Sequence, residues 1–443
     1  MLSMRKKGLP ILCLLTLCSG FSFFWGFALE RAAKGRSADF KAVYAGTRCL
    51  LEGGDPYKES DLLRVFYTEE EGEARNLQHG DLSQFVTKYI NMPTTFLFVA
   101  PFAALPWRQA HLIWSAITAI IVTFAAFLMW EVASEYSSGV SFYLPCIILA
   151  DSLILFAGGN TAGVAVGLCV VGVWCVLKNR FVPAGVLCLA ISLAIKPHDA
   201  GLIWLYFLLA RGVFRKRAFQ ALAITCVFGV IAVLWVSHFA PNWFQEMRTN
   251  LTTTTARGGL NSPGPSSVEG VNPGMVIDLQ SVISVFRDDP TFYNPVTYLC
   301  CGALLVFWII ITVRSRFSPP LTWLALAGAA TLSMLPTYHR PHDAKLLMLT
   351  IPACAALWAE GGAMAWVALV LTSAGILVTS DLPLGALTIM TANMHFPGGL
   401  RGVISTILLT RPVPLILLAL SLFYLVAYAR RSDGAEAMSH ASD

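Results

Sequence analysis

Apolar runs near bilayer length recur from one end of this sequence to the other, and no other feature narrows the possible folds so far. They lie at 9–29, 109–130, 140–157, 161–177, 183–195, 199–211, 218–239, 296–313, 319–336, 344–359, 363–380 and 403–428. A helix of roughly 20 apolar residues crosses the hydrocarbon core. Backbone polar groups find no water there, so continuous runs of this kind must be helices. The expected fold is an all-α polytopic membrane protein, a single integral membrane domain over 1–443 with about twelve transmembrane helices. Only 13% of the residues are charged, about half the share in soluble domains. The net charge of +5 does not point to nucleic acid. The basic clusters fall between apolar runs, where they set orientation.

Most of the 11 cysteines lie inside apolar runs and read as small apolar residues; no spacing marks a zinc site or a disulfide framework. Residues Met1–Leu29 have the basic start and apolar core of a signal peptide, without a convincing cleavage site. The segment is expected to stay as the first span.

The Met92–Pro106 segment is apolar but carries Pro93, Pro101 and Pro106, and proline disrupts helix interiors. Charge decides whether it crosses. Arg5, Lys6 and Lys7 place the N-terminus inside. If the segment does not cross, Lys178/Arg180, Arg215/Lys216/Arg217, Arg314/Arg316 and Arg430/Arg431 all fall inside as well. The expectation is a long outer loop over 30–107 containing a surface or re-entrant segment. A second large outer loop spans 241–295, and a cytoplasmic tail 429–443. Both termini are then cytoplasmic, in a multi-pass cell-membrane protein. The second loop is rich in Thr, Gly, Ser, Pro and Asn and reads as a lid or a connection.

Polar residues gather at the outer ends of this arrangement. Asp39 follows the first span in Asp39-Phe40-Lys41-Ala42-Val43-Tyr44. It reads either as a carboxylate that deprotonates a hydroxyl or as the N-cap of a helix over Phe40–Leu51. Gly53-Gly54-Asp55-Pro56-Tyr57 is turn chemistry, structural or functional. Asn160, in Gly158-Gly159-Asn160, is most simply a turn residue. Lys196 and His198, in Lys196-Pro197-His198-Asp199, interrupt an apolar stretch at a membrane boundary. An ionisable group there is costly and points to function, unless the lysine merely snorkels. Tyr338-His339-Arg340-Pro341-His342-Asp343 suits anion binding by His339, Arg340 and His342 and lacks a complete metal-ligand set. Asp151, near the end of a run, is a second acidic candidate.

The order of these landmarks resembles glycosyltransferase family 87, the polyprenyl-phosphate-mannose-dependent mannosyltransferases of the GT-C superfamily. The likeness rests on Asp39-Phe40 with Tyr44, then Gly53-Gly54-Asp55-Pro56-Tyr57, then Pro93…Pro101…Leu105-Pro106-Trp107. Gly159-Asn160 and Ala194-Ile195-Lys196-Pro197 continue it, to about Arg217. The resemblance implies an inverting, metal-independent hexosyltransferase with no cofactor and no nucleic-acid partner. It would move mannose from a polyprenyl-phosphate-linked donor to a lipid or glycan hydroxyl outside the cytoplasm. It implies Asp39 as general base, and Tyr44, Asp55, Tyr57, Asn160, Lys196, His198, His339, Arg340 and His342 as substrate-binding candidates. The alternative from the residues themselves is a lipid or solute transporter of about twelve spans. Transporters place polar groups near the midplane on broken helices, whereas here they sit at the corners.

Overall fold

The computed structural model describes residues 2–32, 39–70, 88–265, 276–315, 317–391, 394 and 399–440. Parts of the expected outer loops (33–38, 71–87 and 266–275), Arg316 of the Arg314/Arg316 cluster, and residues 441–443 of the expected tail lie outside the described residues.

The described chain is helical, with no strand among those residues. Among the described residues five helices are long and apolar enough to cross a membrane: Gly8–Ala32, Trp107–Ser134, Val213–Phe239, Pro290–Arg314 and Pro412–Ser432. A sixth follows if Gly362–Val378 and Asp381–Thr391, bent by 68°, form one broken span. This makes the protein a multi-pass membrane protein, with fewer full-length helices than the twelve runs. The shortfall has a local cause. Run 140–157 breaks at Asp151-Ser152 into Ser138–Ala150 and Leu153–Gly158. Run 344–359 opens with a 3₁₀ turn, Asp343–Leu349, before Thr350–Glu360 begins. The apolar Met92–Pro106 stretch contains only a ten-residue helix, Thr94–Ala103, about 15 Å long. Hydropathy counts apolar residues and is blind to where the backbone stops being helical.

Breaks are held by side chains. Asp151 Oδ1 accepts the Leu382 amide at 3.0 Å, and Asp381 Oδ2 accepts the Ile154 amide at 2.8 Å. Each aspartate satisfies a free amide at the other's helix start. Lys345 Nζ, also buried, donates to the Asp151 carbonyl at 3.0 Å. Asp151 is therefore a helix-fastening residue, and its candidacy as an acid or base falls.

The core is built from helices buried nearly all round, Thr161–Leu177 and Pro319–Ser333. Uniform apolarity is what such burial requires. Glycines let helices approach: a Cβ on Gly172 would lie 2.9 Å from the Gly185 carbonyl oxygen of Val182–Ile195. By contrast Val213–Phe239 keeps Val227, Val230 and Leu234 exposed, as a lipid-facing helix would.

Alternating helix directions bring the polar corners to one end. Val182–Ile195 and Pro319–Ser333 run toward it, Thr161–Leu177 and Pro197–Leu209 away from it. The Asn160, Lys196 and Tyr338–Asp343 corners consequently meet.

Candidate functional site

Asp39 opens the helix Asp39–Leu51. Phe40, next to it, is fully buried and stacks on Trp114 with ring centroids 5.0 Å apart. This anchors the helix start against Trp107–Ser134. Gly159 completes the join. Its φ of +60° is left-handed, and a Cβ there would lie 3.0 Å from Cβ of Phe40. Only glycine suits both the angle and the space. The close approach carries Asn160 to Asp39. Asn160 Oδ1 accepts the Ala162 amide at 2.9 Å, capping Thr161–Leu177, while Nδ2 donates to Asp39 Oδ2 at 3.0 Å.

His342 reaches the same carboxylate from the last corner, with Nε2 3.1 Å from Asp39 Oδ2. Among the described residues no contact falls on Oδ1. Burial works to raise the pKa of Asp39, but His342, Arg340 and Asn160 outweigh it and hold the carboxyl well below the usual range. Asp39 is thus an anion at neutral pH with one oxygen uncommitted.

Beside it lies a second charge cluster. Lys196 sits in the break between Val182–Ile195 and Pro197–Leu209. Its Nζ donates to Asp343 Oδ1 and lies 3.8 Å from Asp199 Oδ2. Burial pulls its pKa down, yet the two carboxylates prevail and raise it. His339 is fully buried, with Nδ1 2.7 Å from the Thr337 carbonyl and Nε2 3.3 Å from Asp199 Oδ1. A carbonyl accepting from one nitrogen and a carboxylate within ion-pair distance of the other favour the imidazolium. Against the opposing effect of burial, these neighbours raise the His339 pKa. His198 packs edge-on to His339 at 4.9 Å. His198, Asp199, His339 and Asp343 offer ligand atoms within 4.8 Å of one another, a set whose chemistry suits a divalent cation. Here the Lys196 ammonium lies against both carboxylates and neutralises part of their charge.

A cavity of about 140 Å³ opens between these groups. Asp39, Asn160, Lys196, Arg340 and Asp343 line it. The Arg340 amide donates to Asp343 Oδ2 at 2.8 Å, and Nη2 donates to Asn261 Oδ1 at 3.4 Å. His198, His339 and His342 stand behind the lining, each on a carboxylate. Sequence reasoning omitted Asp199 and Asp343 as site residues, although both lie inside corners it singled out. Lys88, Tyr338 and Asn261 also line the cavity. Nothing in the Thr- and Gly-rich loop marked Asn261 in advance.

Three expected substrate contacts lie elsewhere. Tyr44 is buried, donating to the Leu105 carbonyl at 2.8 Å and packing on Trp107. Tyr57 donates to the Asn91 carbonyl at 2.9 Å. Asp55 Oδ1 accepts the Tyr57 amide at 2.9 Å in an Asx turn, and the Asp55 amide donates to Asp61 Oδ2 at 2.9 Å. None of the three lines the cavity. They fasten Asp39–Leu51 to Thr94–Ala103 and the segments around it, because a buried phenol must find an acceptor.

An ionised carboxylate facing a cavity shared with lysine and arginine can accept a proton from a hydroxyl while the cations hold an anion. The sequence profile of glycosyltransferase family 87 matches residues 89–337, more than half the chain. No curated protein and no solved structure gave a match. The matched stretch contains Asn160 and Lys196 and ends one residue before Tyr338; Asp39 and the Tyr338–Asp343 corner are joined to it by the contacts above.

Proposed function

Because the chain belongs to glycosyltransferase family 87, a membrane glycosyltransferase family, we propose that it transfers a hexose, mannose in the first instance, from a polyprenyl-phosphate donor. The acceptor is a lipid or glycan hydroxyl, and the reaction runs on the extracytoplasmic side. Family membership sets aside the transporter reading. The observation that carries the finer proposal is the shared cavity, where the Asp39 carboxylate faces the same space as Lys196 and Arg340.

In this reading Asp39 takes the proton of the acceptor hydroxyl as its oxygen attacks the sugar's anomeric carbon. The bond from that carbon to the donor phosphate breaks, and configuration inverts. The leaving polyprenyl phosphate gains charge, which fixed cations stabilise without reorganising. Lys196 and Arg340 supply them. His342 and Asn160 hold the Asp39 carboxylate in place. A base kept so acidic drives proton transfer weakly, so its contribution comes chiefly from position.

The proposed topology follows the basic clusters. Lys178, Arg215, Lys216, Arg217, Arg314, Arg430 and Arg431 lie toward the end away from the cavity, which by the positive-inside rule is cytoplasmic. Short paired helices such as Val182–Ile195 and Pro197–Leu209 then complete about twelve partial or full crossings.

The test is direct. Purified full-length protein is incubated with radiolabelled polyprenyl-phosphate-mannose and a membrane lipid extract. A new labelled glycolipid is expected. Transfer from nucleotide-mannose alone would overturn the donor assignment. Absence of transfer with mannosyl donors, alongside transfer with another polyprenyl-phosphate sugar, would overturn mannose.

A further inference from the structure

A second, larger cavity lies at the other end of the helices that carry the site. It measures about 440 Å³ and is lined by Arg211, Phe214, Arg314, Phe317, Leu321 and Tyr428, among others. Pro197–Leu209 connects the two: Lys196 precedes its first residue, and Leu209 lines the second cavity. Thirteen residues of helix span about 20 Å, less than the roughly 30 Å of bilayer hydrocarbon. Two cavities so spaced cannot both sit clear of the membrane, so at least one opens at lipid depth.

The lining of this cavity is specific in character. No carboxylate lines it among the described residues. Among the described residues neither Arg211 nor Arg314 has a hydrogen-bond or ion-pair partner. Three other cations at this end, Arg217, Arg215 and Lys178, are engaged. Arg217 donates to the Val176 carbonyl at 2.8 Å and to Asn179 Oδ1 at 2.7 Å, Arg215 to the Leu208 carbonyl at 3.0 Å. Lys178 pairs with Glu135 at 2.5 Å. The floor is polar: Tyr206 donates to Thr322 at 3.0 Å, and Thr312, Ser315 and Tyr428 line the cavity beside them. The rim is apolar and exposed, with Val313 and Phe317 facing outward. Two uncompensated guanidiniums above a hydrophobic rim match a phosphate headgroup joined to acyl chains. A basic pocket between helices on the cytoplasmic side is the physical setting for such binding.

We propose that this cavity binds the headgroup of an anionic membrane phospholipid, with Arg211 and Arg314 on its phosphate and Phe317 and Val313 against its chains. The site is separate from the proposed sugar-transfer chemistry and stands whichever sugar is moved.

The test uses the full chain purified in a neutral detergent. It is offered equal amounts of phosphatidylglycerol and phosphatidylcholine of identical chains, and bound lipid is read by native mass spectrometry. Wild type should retain phosphatidylglycerol selectively. At about one kcal/mol per basic residue, Arg211→Gln with Arg314→Gln should weaken retention roughly thirtyfold. Arg215→Gln with Lys216→Gln, at the same end but outside the lining, should leave it unchanged. Phe317→Asp places a carboxylate on an exposed rim position, and should also expel the lipid, which covers the case where the arginine variant does not fold. Equal retention of phosphatidylcholine, or wild-type retention by Phe317→Asp, would overturn the proposal. Displacement of the lipid by millimolar inorganic phosphate would reassign the cavity to a free anion.

Discussion

The two cavities at either end of Pro197–Leu209 treat their cations in opposite ways. Near Asp39, the half-buried Lys196 lies against the buried Asp199 and Asp343, and His339 and His342 each face a carboxylate. At the other end Arg211 and Arg314 are exposed and without a partner among the described residues. The difference follows from solvation. A charge taken out of water must be matched nearby or it will not stay charged, whereas a charge at the interface keeps its water. The matched cluster is consequently fixed in position and interdependent, and the unmatched pair is loose and independent. Fixed dipoles suit chemistry, because they need no rearrangement when charge develops. Loose ones suit binding of a ligand that brings its own countercharge.

The largest break between the two regions is expected at Asp39. Removing a general base costs about 10²–10⁴-fold in rate. Asp39→Asn keeps size and capping ability, since Asn and Asp rank together as N-caps. It should abolish most transfer while the protein elutes and melts nearly as wild type. Arg211→Gln with Arg314→Gln should leave transfer within twofold or so in detergent, since neither residue approaches the first cavity. Labelled-donor assays on both variants check this. Asp39→Asn retaining more than about a tenth of the wild-type rate removes Asp39 as the base.

Interdependence itself is tested at Lys196. Lys196→Ala leaves two carboxylates buried at about 1% exposure without their ammonium. Breaking a buried pair from one side costs about 3–5 kcal/mol, so this variant should lose stability as well as donor use. Adding Asp343→Asn should restore most of the stability and none of the transfer. A denaturation cycle over the four proteins reads the coupling. Additive losses would show that Lys196 merely snorkels. An Arg211→Gln and Arg314→Gln cycle should show no such coupling.

How much of this was legible beforehand divides along the same line. Lys196, His198 and the His339–His342 corner stood out because ionisable residues rarely interrupt apolar stretches without reason. Asp39 stood out by its place after the first span as a base or a cap, and only the family resemblance favoured the base. Its pairing with His342 joins residues at opposite ends of the chain, and no local pattern encodes that. The Arg211 and Arg314 cavity was missed because basic residues between spans had already served as orientation signals. Tyr44 and Tyr57, expected at the substrate, lie outside the cavity lining. Aromatic residues in a polar loop look available for sugar binding, but here their rings fill two satellite cores, Tyr57 with Tyr89 and Phe96 and Tyr44 with Phe40.

Proton linkage gives a smaller effect with a definite sign. Asp278 is fully buried, and its carboxyl is pushed up to about 7, chiefly by that burial. A raised carboxyl pKa means that the folded state binds the extra proton, so stability falls as pH rises from about 4 through about 7. His339 faces Asp199 and Asp343 and carries a raised pKa as well. Its contribution is full below the ordinary histidine value near 6.5 and is lost as pH rises through the folded value. Melting temperature should therefore drop steadily toward alkaline pH. Asp278→Asn should flatten the lower part of that curve and His339→Gln the upper part. Asp39 acts with the opposite sign, since its lowered pKa withdraws stability only in strong acid. A melting profile that rises above neutrality would refute the paired-imidazolium arrangement. Arg211→Gln should leave the profile unmoved.

The smallest effect separates support from chemistry within the outer region. Tyr57 donates a single hydrogen bond to the Asn91 carbonyl, and its ring contacts Tyr89 edge-on at 5.4 Å. Tyr57→Phe keeps the ring and removes only the hydroxyl. A typical intramolecular hydrogen bond contributes about 0.5–1.5 kcal/mol, and the carbonyl left behind is partly reachable by water, so the loss should sit near the lower end. Tyr44→Phe, which removes the bond to the Leu105 carbonyl, should behave alike. Because Tyr44 lies on the helix that opens with Asp39 and Tyr57 packs against it, a loosened base would lower kcat, whereas a lost sugar contact would raise KM with kcat unchanged. The expected pattern is a slightly lower melting point, an unchanged donor and acceptor KM, and kcat within a few-fold of wild type. A large rise in KM for either substrate would return that tyrosine to the binding surface and extend the site beyond the cavity lined by Asp39, Lys196 and Arg340.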